Sequence, residues 1–147
     1  MDQKPPFPIF PMHFRGLLLL AGIYTIAWSA FYKWFGSELL GWMAMGGAEA
    51  ADLSSNYFGT FGITVGLAIF FSAFYPVTWL WLILAGITGK IISAIWFSYG
   101  FAPELGWNKR SIFHLAFNEL IWLIPLTLTF LRALQVRNYL TRSGAEK

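Results

Sequence analysis

The sequence contains no cysteine. Disulfides, thiol redox chemistry and thiolate metal sites are therefore excluded. Charge is scarce as well, at 12% of residues, while 57% are hydrophobic. A soluble domain of this length needs a larger polar fraction to cover its surface, so a single soluble helical domain is disfavoured. The net charge of +3 is small. The basic residues lie at the ends of apolar runs and in the tail, where membrane-topology determinants sit, so no nucleic-acid partner is expected. No internal repeat or low-complexity segment is visible.

What the sequence does have is long apolar runs, a mean hydropathy of +0.58 and an aromatic content of 20%. These predict an all-α protein, an integral membrane four-helix bundle with the lipid bilayer as its solvent. The start, 1–16, is rich in proline and aromatics and reads as an extended lead-in near the membrane surface. Spans are expected at about 16–35, 58–75, 77–99 and 112–134, each near the roughly 20 residues that cross a bilayer. The first is read as a retained helix, because its apolar run is long for a signal peptide and no small-x-small cleavage site follows. Residues 36–57 form an outer loop carrying Glu38, Glu49 and Asp52, with room for a short interfacial helix. Pro76 closes span two, and a short turn makes spans two and three an antiparallel hairpin. A polar connector, 101–111, leads to span four, for which Ser111 is the expected N-cap.

With four spans the termini share one side. That side carries Lys4, Arg15, Arg132, Arg137, Arg142 and Lys147. The other carries Lys33, Lys109 and Arg110. Positive flanks stay inside, so both termini are expected to be cytoplasmic. Trp79 and Trp81 mark the inner end of span three, and Trp34 and Trp96 mark outer ends. Trp28 and Trp122 lie deeper and are read as packing residues.

Two charges break the apolar pattern. Lys90 stands in 86-GITGKIIS-93 and Glu119 in 118-NELIWLIP-125. Counted from Val77 at 1.5 Å per residue, Lys90 lies about 20 Å up from the inner face. Counted from Ile112, Glu119 lies about 10 Å down from the outer face. In a core about 30 Å thick these are nearly one level. An ion pair facing the bundle interior is therefore expected. Pairing reduces the cost of a few kcal/mol or more that each charge carries alone at this depth. Such a pair either fixes helix register or lines a polar pocket.

Other polar groups reach the same level: Ser29 and Tyr32 in span one, Thr60 and Thr64 in span two, Ser93 in span three. His114 and Asn118 are spaced i, i+4 and share a face, with Trp122 and Pro125 continuing the stripe. The pocket candidates are thus Lys90, Glu119, Asn118, His114, Trp122, Trp28, Tyr32 and Thr64. His114, close to a helix start, has the position of an interfacial residue. His13 and His114 fall at opposite faces of the membrane, which argues against a bis-histidine haem. A metal at His114 and Glu119 is weakly supported, and neither a metal nor another cofactor is expected. Pro125 should kink span four below Glu119. Gly59, Gly62 and Gly66, with Gly86 and Gly89, mark close helix contacts, within the bundle or with a partner.

The order of these features resembles a family. Tyr75-Pro76 before a Trp-containing span, Gly86-x-x-Gly89-Lys90, and Asn118-Glu119-Leu-Ile-Trp122-x-Ile-Pro125 are similar to small four-span bacterial membrane proteins of the DoxX-like type. Those proteins commonly carry an Asn-Asp-Leu-Ile-Trp segment, where this chain has glutamate. The resemblance covers roughly residues 58–133 and implies a four-span fold. The roles it implies are quinone-coupled oxidation or membrane accessory work, and it transfers no catalytic set. Three functions are therefore weighed. The first is an accessory or assembly subunit of a larger membrane complex, bound to other subunits or to itself. The second is an enzyme or binding protein for a quinone or lipid. The third is a proton-coupled transporter carried by Glu119.

Overall fold

Pro11 ends the non-helical lead-in with extended backbone (φ −65°, ψ 141°), and helix α1 (Met12–Trp34) begins at the next residue. The lead-in expected through residue 16 is therefore shorter, because a proline restricts itself and the residue before it but not the chain that follows. Lys33 lies in the last turn of α1, where a cation complements the exposed carbonyls. The computed structural model describes residues 9–46 and 54–145. The lead-in through Pro8, the part of the outer loop with Glu49 and Asp52, and Lys147 lie outside them.

A short helix α2 (Gly36–Met43) follows directly. It buries Leu40 and Met43. Helix α3 (Asn56–Ser72) then runs back along α1. Its glycines let the backbones meet. A Cβ on Gly62 would lie 2.1 Å from Ser29 Oγ, and one on Gly59 would lie 2.5 Å from the Lys33 nitrogen. The stripe is thus an intramolecular helix contact, as small-residue stripes in apolar helices commonly are. Gly86 and Gly89 repeat the device on α4 (Leu80–Trp96), where added Cβ atoms would meet Ile69 and Val65 of α3.

Helix α4 does not stop near residue 99. It widens into a π-helical turn at Phe97–Phe101 and continues as α5 (Ala102–Leu105). Phe97, Phe101, Ala102 and Leu105 are all buried. The first part of the expected polar connector is therefore helical and buries its apolar side chains, while Glu104, Trp107 and Lys109 stay exposed. Gly106 reverses the chain at φ 79°, a left-handed conformation glycine tolerates. Helix α6 (Lys109–His114) starts three residues before the predicted span. Asn108 is its N-cap, accepting from the backbone N–H of Arg110 (2.9 Å) and Ser111 (3.1 Å). Ser111 lies inside the helix instead of capping it. A second π-helical stretch, Leu115–Leu120, joins α6 to α7 (Ile121–Ala145).

The described residues form helices and no strands. Three helices are long and apolar enough to cross a membrane: Met12–Trp34, Leu80–Leu105 and Lys109–Gly144. Helix α3 is apolar but has only 17 residues, about 25 Å at 1.5 Å each. It ends at Ser72, ahead of the turn that carries Pro76. Helix α1 packs on α3, α3 on α4, α4 on α7, and α7 returns to α1. Two apolar clusters result. One, around Leu18, Ile69, Ile83, Leu126 and Val136, fills the end where α1 begins and α7 finishes. The other, around Tyr32, Met43, Phe58, Phe97 and Phe101, fills the end closed by α2 and α5. Between them lies a polar layer.

Candidate functional site

The polar layer is built on the π-helical stretch. In an α-helix, position i+5 lies about 140° round from position i, so Glu119 would point away from His114. A π turn, bonded i to i+5, brings that position back over the first. His114, Asn118 and Glu119 thereby all face inward, each at most 5% exposed. Opposite them, α4 contributes Lys90, 3% exposed. Lys90 Nζ donates to the Asn118 carbonyl at 2.7 Å and stands 3.4 Å from Glu119 Oε2. The ammonium thus binds both the carboxylate and a backbone carbonyl of the widened turn. Glu119 Oε2 accepts no close hydrogen bond, so the ion pair is its compensation.

Helix α1 supplies the other wall. Tyr24, Trp28 and Tyr32, spaced i, i+4, i+8, present one row of hydrogen-bonding aromatics. Tyr24 donates to Asn118 Oδ1. Trp28 Nε1 donates to His114 Nδ1 at 2.8 Å. Indole N–H is a donor only, so Nδ1 must be an acceptor and His114 carries its proton on Nε2. Two assignments follow. Asn118 turns Nδ2 towards Nδ1 (2.6 Å) and leaves Oδ1 for Tyr24. His114 Nε2–H then donates to Tyr32 Oη at 3.0 Å, and Tyr32 points its own hydrogen at Met43 Sδ, 3.8 Å away. One directional chain therefore runs from Tyr24 through Asn118, His114 and Tyr32 to Met43 of α2.

The layer is closed. Phe97 packs 4.4 Å from the His114 ring centre, and Tyr32 packs 5.3 Å away. Helix α2 seals the end. Asn108 Nδ2 donates to the Met43 carbonyl at 2.7 Å, and Arg110 donates to the Trp42 carbonyl at 2.5 Å while lying over the Trp42 ring. His114 is therefore wholly buried and not interfacial. The cavity among Tyr24, Thr25, Trp28, Lys90, Asn118 and Glu119 measures about 10 Å³, room for a single water. Small-molecule sites occupy roughly 300–1,000 Å³. Both His114 nitrogens are engaged by Trp28, Asn118 and Tyr32, so the pairing of His114 with Glu119 does not fit a metal ion.

Of the eight candidates, Lys90, Glu119, Asn118, His114, Trp28 and Tyr32 meet in this layer. Trp122 stands one shell out, its ring 5.3 Å from Tyr24 and its buried N–H unpartnered. Thr64 does not join. It is exposed, donates to the Thr60 carbonyl of its own helix at 3.1 Å, and faces a groove between α3 and α4. The glycine face of α3 is the inward one, and Thr60 and Thr64 lie off it. Tyr24 and Thr25 went unrecognised in the sequence. The row at positions 24, 28 and 32 was the available signal for Tyr24. Compared with family models, curated proteins and solved structures, the chain matches none.

Proposed function

We propose that this chain is a small multipass protein of the bacterial cytoplasmic membrane. In this reading it crosses four times, on α1, α3, α4 and the α6–α7 helix, with both termini inside. It serves as an accessory or assembly subunit of a larger membrane complex. The Lys90–Glu119 layer locks its helices together and does not receive a substrate. The observation that carries this reading is the closure of the layer: a buried ion pair, a directional hydrogen-bond chain and a cavity of about 10 Å³. A quinone ring or lipid head has no room there.

Three apolar helices of sufficient length support the membrane assignment. Helix α3 is the shortest crossing, and local thinning or snorkelling accommodates such mismatch. Lys33 has the reach for it, bonding Thr60 (2.6 Å) and Asn56 (3.4 Å) at the α3 start. Large exposed apolar residues along α1, α3, α4 and α7, Ile23, Phe71, Ile95 and Ile124 among them, leave surface for lipid or for subunits.

The test is gentle detergent extraction of the tagged chain followed by size analysis and identification of co-purifying proteins. A stoichiometric larger assembly is expected. A monodisperse monomer with no companion contradicts the accessory role.

A further inference from the structure

The end that holds the Leu18 cluster carries a different kind of site, centred on Trp81. This ring, 63% exposed, borders two apolar grooves. One, of about 480 Å³, runs between α3 and α4 beside Phe61, Leu84 and Ile92. The other, of about 490 Å³, lies beside Phe71, Trp79 and Leu82. Trp81 also borders a third concavity, of about 470 Å³, formed with the end of α7. Its lining there is Leu134, Arg137, Asn138, Thr141 and Arg142, positions i, i+3, i+4, i+7 and i+8 of one helical face. The Arg137 guanidinium lies 5.9 Å from the Trp81 ring centre. None of the residues lining this concavity is acidic.

Two guanidiniums and an amide on one face match a phosphate diester, which guanidinium binds through paired N–H donors. Two apolar grooves meeting at the same tryptophan match two acyl chains. A tryptophan at the rim of an apolar helix marks the depth at which headgroups begin. We infer that this end binds one anionic phospholipid, its phosphate between Arg137 and Arg142 and its acyl chains on either side of Trp81. A free phosphate would use the basic face and leave both grooves without a role, so the ligand is the lipid. The inference rests on the chain lying in a bilayer and is independent of the accessory role.

The test has two steps. Alkaline washing of membranes containing the full chain comes first. Release into the soluble fraction overturns the membrane reading, and this site with it. The retained protein is then purified in mild detergent with equimolar phosphatidylglycerol and phosphatidylcholine, and bound lipid is read by native mass spectrometry. One retained phosphatidylglycerol, preferred over phosphatidylcholine, is expected. Arg142→Gln should lower that preference about five-fold and Arg137→Gln/Arg142→Gln further, since each basic residue adds about that much attraction to an anionic surface. Lys109→Gln, an equal charge loss at the far end of the α6–α7 helix, should leave it unchanged. Equal retention of the two lipids, or equal loss in Lys109→Gln and Arg142→Gln, overturns the site. Displacement of the lipid by soluble glycerophosphate at comparable concentration overturns the role of the grooves.

Discussion

The two interior regions of this protein are held together by different physics. The cluster around Leu18, Ile69, Ile83 and Leu126 is apolar throughout. The layer around Lys90, Glu119 and His114 is polar and buried to the same degree. In water the first would dominate stability. In a bilayer, lipid is as apolar as leucine, so apolar side chains gain packing but little from leaving solvent. The polar groups have no favourable alternative in lipid and are forced to find each other. The apolar cluster is thus replaceable piece by piece, and the polar layer is specific in its partners.

Mutations break this comparison in graded steps. The largest loss is expected from Glu119→Ala, which leaves Lys90 buried without its counter-charge, at about 3–5 kcal/mol. Unfolding in mixed detergent micelles measures it. Leu126→Ala, in the apolar cluster, should cost less than the roughly 2–5 kcal/mol of a soluble core, because only packing is lost. His114→Phe keeps the ring but removes the acceptor shared by Trp28 and Asn118, stranding buried donors at about 1–3 kcal/mol. Its signature is a change in near-ultraviolet circular dichroism from Trp28. Thr64→Val, outside the layer, should change unfolding by less than about 0.5 kcal/mol. A loss at Thr64 equal to that at His114 would erase the distinction between the two regions.

The juxtaposition of Lys90 with Glu119 was legible in the sequence, because depth along two antiparallel helices needs only a rise per residue. The surrounding geometry was not. Reading a strict α-helix through 112–134 hides the π-helical stretch at Leu115–Leu120, and that widening is what turns His114, Asn118 and Glu119 inward together. Tyrosine in an apolar helix ordinarily reads as packing, and only the spacing of Tyr24 from Trp28 and Tyr32 marks it. Ser111 was a reasonable cap by residue type. Asn108 displaced it because its side chain also ties the end of α2 through the Met43 carbonyl. Thr64 was placed by depth alone, and depth says nothing about which face of α3 the glycines would take. Closure of the site depends on α2 and α5, two short helices that periodicity over long windows does not resolve.

In the proposed reading Lys90 and Glu119 form a helix-locking pair in a closed layer. The decisive measurement compares Glu119→Ala with Lys90→Met/Glu119→Leu in the same unfolding assay. The double variant is expected to be clearly more stable than the single one, because two apolar groups of similar size remove both charges at once. Equal destabilisation of the two variants would contradict it.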